Sequence, residues 1–482
     1  MEAPALEPPS YEALQAENLA LRAENAVLCR QVADLTAKLD EIGAKLEAAL
    51  AEIERLKRSG KRQATPFSKG EHKSDPQRPG RKPREGPFRF RTAPAPEAIS
   101  GPVVPVPVTA VACPRCGGTL EAAGSETVWV TELPPQPRPV TKAFQVGICR
   151  CQGCGRQVRG EHPEVAPDQT GATAHRLGRR ALATGHLLHY GIGLPVRRVP
   201  SVLRLLCGLE VTQGALTRDA LRRTAGNVGT AYYGLRQALA AARAVNTDDT
   251  GWKVGGEPAW LMTFDTPEMV VYQVRRRHRN EEVREVIPGD WAGVLGCDRG
   301  KSYDARELAG VRQQKCLGHI LHNLSEVLER KRFRARWFAA KLKELLRTAL
   351  ALWWRWHEGD REGFEGVRAV LVRRITEHLR DRRLRDPDNQ RLLNELGLHH
   401  DRGNLLRFLD EPEHVAPTNN AAERALRGAV IARKVSQCSK NDPGAEAFGA
   451  FTSVVRTLAK RRCEDPVTAL AEIFSTGIVR AP

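Results

Sequence analysis

The chain has 482 residues, of which 41% are hydrophobic, and it carries a formal net charge of +18. Its length predicts several domains, its hydrophobic content excludes a wholly disordered protein, and its positive charge indicates a polyanionic partner such as nucleic acid. No apolar stretch approaches the ~20 residues that span a bilayer. The acidic start, MEAPALEPPS, lacks the basic and apolar regions of a signal peptide. We therefore expect a cytoplasmic protein whose 11 cysteines are reduced.

A heptad repeat occupies residues 10–58. An apolar residue recurs at every seventh position from Leu14 to Leu56, which makes these the d positions, and Asn18 and Asn25 occupy a positions. Asparagine at a favours a parallel two-stranded coil in fixed register. We predict a coiled coil that joins copies of this chain into a homo-oligomer. The alternative is a single amphipathic helix packed on its own protein, which would carry a wider apolar stripe.

Residues 59–110 are rich in Pro, Gly, Lys and Arg, as in RPGRKPREGPFRFR, and they lack a periodic apolar pattern. This composition predicts a flexible basic linker that contacts phosphates without sequence specificity. A merely solvated spacer is the alternative.

Two CxxC motifs, CPRCGG and CQGCG, lie within residues 111–165, and we interpret the segments TVWVTEL and KAFQVGI between them as strands. Four thiolates at such spacing suit a tetrahedral structural Zn²⁺ ion in a ribbon-like unit. A redox pair is the alternative, and Cys149 could compete with Cys151 as a ligand. The predicted zinc ligands are Cys113, Cys116, Cys151 and Cys154.

Residues 166–240 are predicted to be helical. The turn GLEVTQ separates two of the helices, and Arg218 and Arg222 are expected to be exposed on the second helix. This arrangement is compatible with a helix-turn-helix unit that binds DNA in the major groove. An ordinary helical subdomain packed on the rest of the protein is the alternative.

The stretches VNTDDTGWKVGG, AWLMTF and MVVYQV predict three strands joined by tight turns. A helix from Asn280 to Ile287 and a short buried strand over 294–297 should follow. Asp248 or Asp249 then lies on the first strand, and Asp298 lies where the fourth strand ends. Carboxylates at neighbouring strand positions are suitable ligands for divalent cations such as Mg²⁺. Turn-forming roles in DDTG and CDRG are the alternative for these aspartates.

A long helical stretch, residues 323–412, should interrupt this core. Its tryptophans could stack on DNA, but aromatic residues on helices usually belong to a core, and we expect this for most of Trp353, Trp354 and Trp356. Residues 413–482 then return to the core and end in two amphipathic helices.

The best candidate for a third acid is Glu423 in TNNAAERALRGAVIARK, a segment that is helical by the spacing of Ala422, Leu426 and Val430. A capping box with Asn420 is the alternative role for this glutamate. Basic residues on or just past the same face could hold DNA phosphates as charge-assisted donors. These residues are Arg424, Arg427, Arg433 and Lys434.

The order TDDTGW, CDRGxxY, CLGH, NNAAERALR and RK resembles the insertion sequence 66 family of bacterial DDE transposases. The resemblance implies a multidomain α/β protein in which an RNase H-like core is split between residues 241–322 and 413–482. It implies that Asp248, Asp298 and Glu423 are the catalytic acids and hold two Mg²⁺ ions, with Mn²⁺ as a substitute. The family usually has Asp-Glu-Thr where this chain has Asp-Asp-Thr.

The resemblance also covers the zinc-finger-like region and a CxxH element, Cys316 and His319, which we interpret as helping to shape the active site. It further implies companion proteins encoded by the same element. The function expected from all of this is a transposase that cleaves and joins DNA strands in the bacterial cytoplasm, at the nucleoid. A catalytically silent DNA-binding descendant and an RNase H-like nuclease or resolvase are the alternatives; a coiled-coil scaffold would leave the order of the acids unexplained.

Overall fold

The computed structural model describes residues 11–60, 95–98, 102–122, 127–129, 138–170 and 175–480. The chain divides into two compact units, Met1–Arg81 and Lys82–Pro482. In the first unit a single 50-residue helix, α1 (Tyr11–Gly60), spans the predicted heptads. Its d-position residues Leu21, Leu28 and Leu35 are more than half exposed. The helix is confirmed, and the pairing of two such helices stays a prediction.

The first two strands of the second unit form a small antiparallel pair, β1 (Ile148–Arg150) and β2 (Gln157–Arg159), which flank the CQGC motif. The strands expected from TVWVTEL and KAFQVGI are largely wrong. Residues 127–129 and 142–147 belong to no strand, and residues 130–133 lie outside the described part of the chain. The segments are β-prone by composition, but strand formation also requires a neighbouring strand to pair with.

A five-stranded sheet with the order β5-β4-β3-β6-β7 lies at the centre of the second unit. Strands β3, β4 and β5 form antiparallel pairs, β6 pairs in parallel with β3, and β7 pairs in parallel with β6. Gly255 and Gly256 form the two-residue turn between β3 and β4, where both need positive φ angles (63° and 89°). The strands are β3 (Ala244–Val254), β4 (Glu257–Asp265), β5 (Val270–Arg275), β6 (Val294–Cys297) and β7 (Arg312–Lys315).

The predicted strand β6 is confirmed to the residue, whereas the helix that precedes it is shorter than expected. Helix α6 covers Asn280–Arg284 and stops before Ile287. Pro288 follows, and a residue before proline is biased away from helical backbone angles, which accounts for the early end.

One hydrophobic core joins the predicted DNA-binding helices to the sheet. Residues Val228, Leu235, Phe264 and Leu295 belong to the same cluster. The helices therefore do not form a core of their own, which favours the alternative of a helical region packed on the sheet. The elements are α2 (Arg179–His186), a π-helical turn (Leu187–Gly191), α3 (Val199–Cys207), α4 (Gln213–Thr224), α5 (Asn227–Leu239), α13 (Asp442–Lys460) and α14 (Pro466–Thr476).

A second core holds the helices between β7 and the C-terminal part. Leu324, Leu346, Ile375 and Leu396 belong to this cluster, which also includes Val294 of β6. The helices of the predicted insertion therefore share a core, and their division into a separate domain stays a prediction. Among the tryptophans, Trp353 and Trp356 pack against this core, but Trp354 is 58% exposed. The helices are α7 (Leu317–Arg330), α8 (Trp337–His357), α9 (Phe364–Leu379), α10 (Pro387–Asp401) and α11 (Arg407–Asp410).

Helix α12 (Asn420–Ser436) lies on the sheet with Leu426 and Ala429 packed against Trp252 and Tyr272. Ala429, rather than the predicted Val430, completes its buried stripe. Within the described ranges, no helix is both long and apolar enough to cross a membrane.

Candidate active site

Two of the three predicted acids come from neighbouring parallel strands. Asn246 on β3 is opposite Gly296 on β6. Continuing this register by two residues places Asp248 beside Asp298, immediately after β6. Residues opposite each other in a sheet point to the same face, so this register predicts that both carboxylates lie on one side of the sheet. Helix α12 packs on β3 and β4, and Glu423 lies in its first turn.

The electrostatics show that these acids lie within range of one another. The pKa of Asp248 is raised to about 7, mainly by burial and further by the negative charges of Asp249, Glu423 and Asp298. The pKa of Asp249 is also raised to about 7, by burial and by the charge of Asp298. Carboxylates crowded in this way repel each other, and a divalent cation would relieve the repulsion. The donor set is therefore suitable for Mg²⁺, which takes oxygen ligands.

Backbone and side-chain contacts fix Asp298. The Gly300 N–H donates to its Oδ1 at 2.8 Å, so the CDRG turn and the proposed acid role coexist in one residue. Lys315, at the end of β7, is fully buried and donates to the Asp298 carbonyl at 3.3 Å. Its ammonium also pairs with Asp304 at 2.8 Å. These contacts hold the end of β6 in one conformation.

Asn419 fixes the start of the helix that carries Glu423. Its side-chain amide donates to the Thr247 carbonyl at 3.3 Å, and its backbone N–H donates to Cys316 Sγ at 3.5 Å. Asn419 is the N-cap residue of α12, and its side chain makes no capping hydrogen bond. The alternative capping box between Asn420 and Glu423 is therefore not formed. Asn419 therefore joins α12 to β3 and α7.

Asp249 has different neighbours from Asp248. Successive residues of a strand point to opposite faces, and Asp249 Oδ1 lies 3.6 Å from His278 Nδ1. The His278 ring also contacts Tyr303 and Trp260, and burial lowers its pKa. Glu423 contributes to the pKa shift of Asp248 and is not among the causes of the shift of Asp249. This difference supports Asp248 as the acid that faces α12.

The CxxH element lies beside the third acid. His319 Nε2 is 3.9 Å from Glu423 Oε1. The ligand atoms of Cys316, His319 and Glu423 all lie within 4.8 Å of one another. A hydrogen bond with Cys316, together with the charges of Cys316, Glu423 and Asp298, raises the pKa of His319 to about 9. The CLGH spacing indicates the first two residues, but their approach to Glu423 depends on the fold.

Two of the predicted phosphate contacts share the face of Glu423. Residues four and eleven positions after Glu423 return to nearly the same side of a helix, and these are Arg427 and Lys434, both exposed. Arg424 is also exposed, on the flank of this face. The three cations extend from the acids roughly 16 Å along α12, at 1.5 Å per residue.

Two other predicted DNA contacts make intramolecular bonds. Arg433 donates to Thr250 Oγ1 at 3.1 Å and to the Gly251 carbonyl, and thereby joins α12 to β3. Arg222 pairs with Asp168 and with Asp219. Arg218 is exposed on α4.

The sequence interpretation missed a basic, aromatic turn between α7 and α8. Phe333 is 91% exposed at a φ of 50°, and Trp337 is 62% exposed. Arg332 precedes Phe333, and Arg334 and Arg336 lie between the two aromatic residues. All three arginines are exposed, and none forms an ion pair with another described residue. The alternation of Arg and aromatic residues in RKRFRARWF was the available signal.

The two predicted zinc knuckles have the same backbone geometry. Gly117 N–H donates to the Cys113 carbonyl at 2.8 Å, and Gly155 N–H donates to the Cys151 carbonyl at 2.9 Å. Backbone hydrogen bonds lower the pKa of Cys113 and of Cys151, which favours the thiolates that bind zinc. In the part of the chain that the structure describes, no three of the four cysteines have their sulfur atoms within 4.8 Å of one another.

Comparisons with known proteins place the chain in a family. No curated protein matches it. Two solved structures of the HTLV-2 integrase catalytic core domain in complex with magnesium, in dimeric and trimeric forms, are similar at 11% and 9% identity. Each similarity covers 18% of this chain and 70% of the other, with TM-scores of 0.14 and 0.13, which are too low to carry an argument. The family model "Transposase IS66 family" matches residues 175–447, more than half of the chain. The chain therefore belongs to the Transposase IS66 family.

Proposed function

We propose that this transposase-family protein cleaves and joins DNA strands at the ends of a bacterial insertion sequence, using Asp248, Asp298 and Glu423. The observation that supports this most strongly is the convergence of β3, the end of β6 and the first turn of α12, where the charges of Glu423 and Asp298 add to the burial that raises the pKa of Asp248. The sheet with β3 at its centre fits the RNase H-like core that the resemblance implies, and α7 to α11 form its helical insertion.

The same three carboxylates would hold two Mg²⁺ ions, or Mn²⁺ ions, which prefer similar oxygen ligands. When bound, these ions would supply a lower pKa for the attacking hydroxyl and positive charge near the leaving oxygen.

The chain's own residues then contribute position and charge. The contacts of Gly300 and Lys315 keep Asp298 at the end of β6, and Asn419 keeps Glu423 facing the strands. Arg427 and Lys434 donate to successive phosphates and hold the DNA along α12. In strand transfer, a DNA 3′-hydroxyl attacks a phosphodiester of the target strand. A P–O bond forms to the attacking oxygen, and the P–O bond to the leaving oxygen of the target strand breaks. No covalent protein intermediate is needed because catalysis is mainly positioning and electrostatics.

We assign accessory roles to the remaining regions by the same reasoning. The ribbon at 111–165 would hold one structural Zn²⁺ through Cys113, Cys116, Cys151 and Cys154, and the linker at 59–110 would contact phosphates. Arg218 on α4 would contact the element ends. The protein would act on DNA in the bacterial cytoplasm, together with companion proteins of the same element.

The exposed heptad leucines predict a self-associating helix. Replacing Leu28 and Leu35 of α1 by Glu should convert the oligomer into monomers, because charges at d positions cannot be buried in a coil. The matched control is Ala37→Glu at the exposed f position. Sedimentation velocity of the full chain would measure the change. A double variant that sediments like the wild type would contradict the role of the coil.

The basic, aromatic turn predicts a second DNA contact. Helix α7 begins beside Glu423 and ends at this turn, so the turn lies ~20 Å from the acids at 1.5 Å per residue. Exposed aromatic rings between arginines suit stacking on unpaired bases, which is worth ~1–3 kcal/mol per base.

We therefore expect Trp337→Ala to weaken binding to DNA with a single-stranded flank by roughly 5–100-fold, and binding to blunt duplex much less. Fluorescence anisotropy with both DNAs would measure this, and Arg373→Ala, an exposed arginine of α9, is the control. Equal effects of Trp337→Ala and Arg373→Ala would contradict the assignment.

The proposed reaction is tested by strand transfer in vitro with Mg²⁺ and DNA that ends in the inverted repeats flanking this gene, with Glu423→Gln as the inactive control. Joined products from the wild type alone would support a transposase. Cleaved products without joining would indicate a nuclease or resolvase. Specific end binding without cleavage, even with the companion proteins, would indicate a silent descendant.

A further inference from the structure

We infer that Cys316, His319 and Glu423 form a second metal site, for a thiophilic divalent cation such as Zn²⁺, and that this cation competes with Mg²⁺ for Glu423. The competition rests on the proposed function, because Glu423 is taken as a magnesium ligand. The binding itself rests only on the geometry of the three side chains. Among the described residues, they form the one group of three or more potential ligands whose atoms all lie within 4.8 Å of one another.

The distances are close to those of a zinc site. Bond lengths of about 2.0–2.3 Å for zinc to nitrogen, oxygen and sulfur place tetrahedral ligand atoms roughly 3.3–3.7 Å apart. The distance from His319 Nε2 to Glu423 Oε1 is 3.9 Å. Small rotations of two half-exposed side chains, His319 (45%) and Glu423 (42%), would bring the ligands together.

The local sequence prepares the sulfur as a ligand. Cys316 is the residue before α7, a 14-residue helix, and His319 lies in its first turn on the same side. The Asn419 N–H donates to Cys316 Sγ at 3.5 Å. The residue that positions the Glu423 helix thus also fixes the position of the Cys316 sulfur.

Ligand chemistry and access determine which ion is bound. A thiolate and an imidazole favour Zn²⁺ over Mg²⁺, which prefers oxygen ligands alone. Cys316 is buried, but the exposed sides of His319 and Glu423 leave a path for the ion and an open position for water. Zinc bound here would remove Glu423 from Asp248 and Asp298, so Zn²⁺ should inhibit strand transfer at a fixed Mg²⁺ concentration.

Cobalt binding tests the site without any activity measurement. Co²⁺ bound to thiolate has a charge-transfer absorption, and the predicted ribbon would contribute to it in every variant. The difference between full-length wild type and Cys316→Ser, both titrated with Co²⁺, isolates the second site. We expect Cys316→Ser and His319→Ala to lose one Co²⁺ equivalent per chain. His322→Ala, an exposed histidine of the same helix, should lose none.

Identical titrations of the wild type, Cys316→Ser and His319→Ala would overturn the site, whatever the protein does to DNA. A second measurement tests the competition by comparing each variant's strand transfer with and without Zn²⁺. The concentration of Zn²⁺ that halves activity should rise at least tenfold in Cys316→Ser, since lost metal ligation weakens affinity by about that factor or more. If Zn²⁺ inhibited the wild type and Cys316→Ser equally, the competition for Glu423 would be contradicted and only the metal binding would stand.

Discussion

Replacing Asp248 by Asn should lower strand transfer by ~10³-fold, whereas replacing its neighbour Asp249 by Asn should leave activity within about tenfold of the wild type. Asp248 lies beside Asp298 by strand register and interacts with Glu423. Asp249 points to the opposite face of β3 from Asp248 and lies 3.6 Å from His278. The charge of Asp298 acts on it as well, but Glu423 is not among the causes of its pKa shift. Asparagine keeps the shape of each side chain and removes the charge that a divalent cation needs.

The two variants are matched controls for each other, because both remove one partly buried carboxylate from the same strand. DNA binding, measured in parallel, should be retained in both. If Asp249→Asn were the inactive variant and Asp248→Asn the active one, the first acid would have to be reassigned to Asp249.

Replacing Asp219 by Asn should destabilise the second unit by about 3–5 kcal/mol, the cost of leaving buried charge without its partner. Asp219 is 6% exposed and accepts hydrogen bonds from His186 at 2.8 Å and from buried Arg223 at 2.8 Å. Its other oxygen pairs with Arg222 at 2.6 Å. The carboxylate therefore joins α2 to α4.

Urea unfolding, followed by tryptophan fluorescence, would measure the loss. Glu472→Gln is the control, because its ion pair with Arg480 on the same core is half exposed and should contribute only about 0–1 kcal/mol. An Asp219→Asn protein as stable as Glu472→Gln would contradict the role of the buried cluster.

The same cluster predicts how the stability of the folded protein depends on pH. Burial lowers the pKa of His186 below its usual 6.5, so the unfolded state takes up this proton first as the pH falls. Burial opposes the charge of Asp219, but the His186 hydrogen bond and the Arg223 charge outweigh it and lower the Asp219 pKa below 3.8. Stability should therefore fall on acidification, first through His186 below pH 6.5 and then through Asp219. In the Asp219→Asn protein, the second loss of stability, at the more acidic pH, should be absent.

Local patterns in the sequence were sufficient for the elements that carry the acids. The apolar run Val294–Cys297 predicted β6 to the residue, and the spacing of Ala422 and Leu426 predicted α12. Strand β7 was missed because its buried residues include Gln313 and Gln314, whose side chains are satisfied by hydrogen bonds from the surrounding fold. No periodic apolar pattern marks such a strand.

Contacts between distant segments could not be derived from the sequence. The CLGH spacing indicated Cys316 and His319, but their approach to Glu423 is set by the contact between the first residues of α7 and those of α12. The intramolecular hydrogen bonds of Arg433 could not be predicted either, because the sequence does not distinguish an exposed arginine from one that is hydrogen-bonded within the protein. Tertiary packing, not composition, decides these roles.

Direct measurement of divalent cation binding tests the central claim, that Asp298 and Glu423 are ligands of one metal site with Asp248. Binding of Mn²⁺ to the full chain can be followed by the loss of the electron paramagnetic resonance signal of the free ion. We predict that Asp298→Asn and Glu423→Gln each bind at least one Mn²⁺ fewer than the wild type, while Asp290→Asn, an exposed acid that precedes β6, binds as the wild type does. Equal Mn²⁺ binding by all four proteins would contradict the metal site and the catalytic role assigned to these acids.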